Sequence, residues 1–369
     1  MFTLVAVVVL ALFFDYTNGF HDSANAIATT VSTRALTPRI AVIMAGLLNF
    51  AGAFISIKVA TTIGQGIVAT HAVTTHVVLA AIVGAITWNL VTWYWGLPSS
   101  SSHALIGGVV GSGIAAGGLG VVQWHGIGEK IIIPSLVSPT LGVLVAGLIV
   151  VGLMWALRNR RPHQVNGAFR KLQIVSAALV ALTHGTNDAQ KTMGVIALAL
   201  VAAHPEQKFH VPVWVIASAA AAMAAGTYSG GWRIIRTLGR RVTHLEPYQG
   251  FAAETATAGL LFATAHFGFP VSTTHTISGS VLGAGAARKF SAVRWGIVGN
   301  ILAAWVFTLP AAALVAAAMQ YLTRLPGGAS VVFLLGVAIA TTVFVMRARA
   351  DRPYQLRLDP EFEITGVPA

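Results

Sequence analysis

Two short polar elements stand out in an otherwise apolar chain, and each occurs twice. Gly19-Phe20-His21-Asp22 returns as Gly185-Thr186-Asn187-Asp188. Pro98-Ser99-Ser100-Ser101-Ser102-His103 returns as Pro270-Val271-Ser272-Thr273-Thr274-His275, and the glycines that follow stay in register, Gly107 with Gly279 and Gly111 with Gly283. Asp22 and Asn25 share a helix face. A carboxylate with an amide carbonyl suits a hard cation such as Na⁺, or a proton relay. The plainer reading is a buried acid that caps a broken helix, and the duplication weighs against it. The hydroxyl clusters Ser100, Ser101, Ser102 and Ser272, Thr273, Thr274 lie where a helix begins, and free backbone N–H groups there favour an anion. Two such ends facing each other could hold one tetrahedral oxyanion without a fixed charge that would bind it too tightly to release. For either loop alone, ordinary N-capping is the better explanation of the hydroxyls, and the matched pair favours the anion site. His103 and His275 either donate to the anion or carry a proton, or pin the loop as supporting groups; His21 and His184 flank the aspartates. Glu254 has no counterpart in the first half. It is either a carrier of the coupling proton or cation, or an acid at a helix end near the interface.

The elements that must position these residues follow from composition. The chain has 369 residues, of which 56% are hydrophobic and 9% charged, against about 25% charged in a soluble domain. Apolar runs such as Leu4 to Phe14, Val77 to Ile86 and Leu141 to Leu157 repeat along its length. Lipid leaves only helices or closed barrels, and these runs lack the period of two that a barrel strand needs. The reading is an all-α polytopic membrane protein. Met1 to Phe14 reads as a transmembrane segment and not as a signal peptide. With no cysteine, disulfides and thiolate chemistry are excluded. The formal charge of +12 does not imply nucleic acid, because the basic residues lie between apolar spans, where they set topology. Apolar segments are expected near 2–33, 40–57, 74–96, 103–120, 134–157, 172–203, 211–230, 250–268, 276–286, 293–319 and 329–346, several of them as broken helices.

The recurring motifs divide the chain into a first repeat at 1–157, a basic cytoplasmic linker at 158–171, a second repeat at 172–319, a final helix at 320–346 and a cytoplasmic tail at 347–369. With the linker inside and both Pro-started loops as re-entrant helical hairpins, eighteen Arg and Lys fall inside, Arg357 among them, and only Lys58, Lys130, Lys208 and Arg324 fall outside. The first hairpin then enters from outside and the second from inside. This gives two inverted-topology repeats, the pattern of secondary transporters with a midplane site. An intramembrane hydrolase using a hairpin serine with His103 or His275 is disfavoured, because Ser102 and His103 are adjacent and the second copy carries threonine. A channel for anions is a further alternative.

At these residues the chain resembles the inorganic phosphate transporter (PiT) family, from Asp15 to about Trp305. Gly19 to Asn25 looks like that family's G-A-N-D-x-x-N element in its bacterial form, and His184 to Asp188 like its second copy. Pro270 to His275 is similar to its P-V-S-T-T-H element. Glu254 falls where the family has a transport-critical acid. The resemblance implies a plasma-membrane importer, not an enzyme, and no cofactor. It places inorganic phosphate on the hydroxyl loops and a coupling cation near Asp22, Asn25, Asn187 and Asp188. Asp22, Asn25 and Asp188 would hold Na⁺ if that is the ion. The chain departs from the sodium-coupled pattern at Phe20-His21 and at Lys191. Lys191 places a tethered ammonium beside Asp188, which favours H⁺ coupling over Na⁺. Phosphate as a divalent-metal complex and sulfate are the alternative substrates. Membrane lipid is an expected partner, and a homodimer is admitted.

Overall fold

A computed structural model describes residues 1–69 and 72–356. His71, Arg357 and the remainder of the tail to 369 lie outside the described residues. The chain runs through α1 (Phe2–Ser32), α2 (Pro38–Gly52), α3 (Lys58–Gln65), α4 (Thr75–Trp95), α5 (Ser101–Gly117), α6 (Trp124–Ile127), α7 (Ile133–Ala156), α8 (Pro162–Ala203), α9 (Val213–Ser229), α10 (Trp232–Arg236), α11 (Pro247–Phe267), α12 (Thr273–Arg288), α13 (Trp295–Thr323) and α14 (Gly328–Leu356). Six helices among the described residues are long and apolar enough to cross a membrane. There are seven if α9 and the turns after it, bent by 59°, form one span.

Two expectations need correction. The helices that carry the aspartate motifs are not broken: α1 runs unbroken through Asp15 to Asn25, and α8 through His184 to Lys191. Asp22, Asn25, Asp188 and Lys191 find partners on other elements, and the backbone keeps its own hydrogen bonds. The segment 158–171 is also mostly helix. Pro162 opens α8 at N1, where its missing N–H costs nothing. Hydropathy marks where a helix becomes apolar, not where it starts.

The chain breaks instead at the two Pro loops, and the two turns use the same chemistry. α4 ends on Gly96 and α11 on Gly268, with φ of 67° and 75°. This left-handed cap is one that glycine adopts without strain. Pro98 and Pro270 follow two residues later. Ser100 then caps α5, its Oγ accepting from His103 N at 3.1 Å, and Ser272 caps α12, accepting from His275 N at 3.2 Å.

The helices of the two halves interleave. α1 packs on α9 and α8 on α2; α5 packs on α13 and α12 on α7. Glycines allow these contacts. A Cβ at Gly111 would lie 2.1 Å from Ala313 O, and one at Gly283 would lie 2.1 Å from Val143 O. The matched glycines seen in the sequence are therefore crossing points where each Pro-loop helix meets the backbone of the other half. Gly111→Ala and Gly283→Ala should each cost about 1–3 kcal/mol through overpacking, whereas Gly152→Ala, with nothing within 4 Å of the added carbon, should be neutral. Thermal unfolding of the detergent-solubilised protein measures the difference.

Candidate functional site

Asp15, Asn18, Asp22, Asn25 and Thr29 of α1 follow alternating steps of three and four that keep them on one helix face. That face meets α8, α11 and α12. All five are buried. Asn25 Nδ2 donates to Thr273 Oγ1 at 3.1 Å and to Thr274 Oγ1 at 2.9 Å. Thr274 Oγ1 donates to Asp22 Oδ1 at 3.2 Å, and Thr273 Oγ1 to Asp188 Oδ2 at 3.2 Å. The second hydroxyl loop thus touches both aspartate motifs at once. His21 Nδ1 lies 2.8 Å from Asp22 Oδ1. Its Nε2 faces Thr92 and Ser99, next to the first hydroxyl loop.

Lys191 ties the first loop to the same cluster. Its side chain is 1% exposed, and Nζ lies 2.5 Å from both Asp188 Oδ1 and Ser102 Oγ. Ser102 in turn donates to Val271 O at 3.3 Å, which links the two loops directly. The expected ammonium beside Asp188 is present. Its contact with Ser102 is not visible from the motif, because the two residues are 89 positions apart.

The remaining predicted residues divide. Ser100 and Ser272 accept from backbone as N-caps, so each keeps one O–H to donate. Ser101 Oγ is buried and has no hydrogen-bond partner. His103 and His275 act on the loops and do not join the acidic cluster. His103 Nε2 bonds Ser135 Oγ at 2.7 Å, the two imidazoles meet edge to face at 4.7 Å, and His275 stacks on Trp305 at 3.8 Å. Trp305 Nε1 donates to Pro98 O at 3.1 Å, closing the support around both loops. Asn187 is buried and makes no hydrogen bond to the cluster. Glu254 sits one turn of α1 beyond Asn25. Thr29, Thr30 and Gln173 donate to its Oε1 at 2.5, 2.7 and 3.0 Å, and Ser176 to its Oε2 at 2.5 Å. It is not a helix-end acid at an interface. Sequence reading missed these four donors, although the three-and-four polar spacing on α1 leads to Thr29.

Three ligand atoms from Asp22, His184 and Asp188 lie within 4.8 Å of one another, a spacing that could serve a cation. For Na⁺ the set is a poor one. A hard cation prefers oxygen, one donor is an imidazole nitrogen, and Lys191 already occupies Asp188 Oδ1. Beyond Glu254, Thr33 donates to Gln173 at 2.7 Å and borders a cavity of about 630 Å³ lined in part by Arg34, Arg170, Arg240 and His244.

A buried polar site between two sets of matched motifs, inside a bundle of membrane-crossing helices, defines a multi-pass membrane protein with its chemistry in the core. The chain belongs to the Phosphate transporter family, whose profile matches residues 18–164 and 156–316. A probable low-affinity inorganic phosphate transporter of Rhizobium meliloti is 51% identical over 316 residues, covering 85% of this chain and 94% of the relative. One of Bacillus subtilis is 42% identical over 324 residues, covering 87% and 97%. A solved structure, the sodium-dependent phosphate transporter, superposes with a TM-score of 0.81 at 25% identity, covering 88% of this chain and 99% of that one. The family and these relatives are transporters, not enzymes.

Removing one partner of a buried ion pair strands the other. Lys191→Met and Asp188→Asn should each lower stability by about 3–5 kcal/mol, and the double variant by less than the two losses combined. A double-mutant cycle of thermal unfolding checks this, and additive losses would show that the pair is not coupled.

Proposed function

We propose that this protein imports inorganic phosphate across the plasma membrane by cation symport, with H⁺ as the coupling ion. Two inverted-topology repeats, each with a re-entrant hairpin, expose the site alternately to the two sides. The phosphate sits between Ser100–Ser102 and Ser272–Thr274. The observation that carries this reading is the position of Lys191 Nζ, in contact with Asp188 and Ser102 together.

Three features support it. An oxyanion at Ser102 competes with Asp188 for the same ammonium, so anion binding and the charge at the aspartates are linked. The hydroxyls of Thr273 and Thr274 each have one proton, and each gives it to an aspartate. A cation at Asp22 satisfies that carboxylate and releases Thr274 to donate to phosphate. Lys191 also stands where a second mobile cation would be held, and this favours H⁺ over Na⁺. Glu254, with its four neutral donors, continues the polar face of α1 toward the arginine-lined cavity and serves the route on that side.

Labelled phosphate uptake into proteoliposomes tests the reading. An imposed pH gradient alone should drive accumulation that a protonophore collapses, with sulfate competing weakly. A requirement for a Na⁺ gradient would overturn H⁺ coupling while leaving phosphate transport standing. Lys191→Asn should create Na⁺-stimulated uptake; cation dependence unchanged from the parent protein would rule out the tethered-cation role.

A further inference from the structure

Asp15 takes no part in the cluster described above, yet it is among the most deeply buried acids of the chain. It is fully buried, and neither carboxylate oxygen has a hydrogen-bond partner. Asn18 Oδ1 and Thr192 Oγ1, from the two side chains beside it, are also buried without a partner. Asp22 and Asp188, by contrast, are each held by a hydroxyl and by a histidine or lysine. A carboxylate left this bare in an apolar interior carries its charge at a high cost. It persists there only if something else discharges it.

Asp15 lies two turns of α1 from Asp22 on the same face, toward the Met1 end, and Thr192 follows Lys191 on α8. The charged groups that act on it are Asp188 and Lys191. α4 and α9, which also pack on α1, carry no Asp, Glu, Lys or Arg, and their titratable groups His76, Tyr94 and Tyr228 lie at helix ends. α14 carries no charged residue before Arg347. Among the described residues, Lys191 is the cation that acts on Asp15 and also contacts Asp188 and the hydroxyl of Ser102.

We propose that Asp15 is the residue that binds the transported proton, and that Lys191 couples this event to phosphate. A proton from the acidic side forms an O–H bond at one carboxylate oxygen of Asp15 and removes its negative charge. The ammonium of Lys191 is then attracted by one acid fewer and turns its field toward the oxyanion at Ser102. Proton and phosphate each strengthen the other's binding, as linkage requires. On the opposite side the same proton leaves to water, Asp15 regains its charge, and phosphate is released. Four buried oxygens without a hydrogen-bond partner, within the field of one lysine, suit a site that alternates between these two states.

The inference rests on the H⁺-coupled reading, and the experiment separates the two. Wild-type proteoliposomes are assayed for phosphate accumulation under a pH gradient, and for phosphate–phosphate exchange with no gradient. If the wild type accumulates on Na⁺ alone, the H⁺ reading fails and the role of Asp15 falls with it. If the pH gradient drives the wild type, Asp15→Asn, a permanent mimic of the protonated acid, should lose at least about tenfold in accumulation and keep exchange within about threefold. Gradient-driven accumulation near the wild-type level, or loss of exchange together with accumulation in folded protein, would overturn the proposal. Should Asp15→Asn not yield folded protein, Asp15→Glu replaces it. The displaced acid should shift the pH profile of uptake by about half a unit or more, and an unmoved profile overturns the proposal.

Discussion

The structure depends on the cost of placing charge in an apolar bundle. Asp15, Asp22, Asp188, Lys191 and Glu254 are all buried, and an ion in such surroundings is tolerated only with a partner of opposite charge or a shell of donors. Two solutions are used here. Asp188 takes a lysine from the next turn of its own helix, and Glu254 takes four neutral donors from α1 and α8. The second needs helices from different parts of the chain to meet closely, and so does the contact of Lys191 with Ser102; the arrangement of the bundle answers that need.

Interleaving of the halves provides it. Each Pro-loop helix crosses a helix of the opposite half at glycines that admit backbone contact. The loop ends are thereby held against each other, with the imidazoles of His103 and His275 and the indole of Trp305 wedged behind them. The histidines work as spacers that fix the loops. The hydroxyls of Thr273 and Thr274 point instead at the aspartates. Rigid support behind mobile protons is the combination a site needs if it must bind and also release.

The site also shows why a lysine changes the chemistry of a duplicated motif. In a symmetric arrangement the two aspartates would be equivalent. Here Asp22 has His21 and Thr274, while Asp188 has Lys191, Thr273 and a more distant His184. The halves share a plan, and the side chains assign each aspartate a different electrostatic partner. Glu254, without a counterpart in the first half, extends the asymmetry toward the arginine-lined cavity.

Composition and hydropathy by themselves determined that the chain is a helical membrane protein, because 9% charged residues leave no other way to solvate its surface. Repetition of the two motifs singled out residues that the structure gathers into one buried polar cluster, because unrelated positions do not repeat in order by chance. The i, i+3 relation put Lys191 beside Asp188, since that contact lies within one helix. Contacts across the bundle were decided only by the tertiary structure. Residues 89 positions apart, Lys191 and Ser102, meet because α5 and α8 are brought together, and the donors around Glu254 come from two helices that no local pattern joins to α11. Helix continuity at Asp15–Asn25 was likewise beyond reading from polarity alone. A buried polar side chain does not by itself break the helix that carries it, since the backbone of α1 and α8 keeps its own hydrogen bonds even at Asp15 and Asn187.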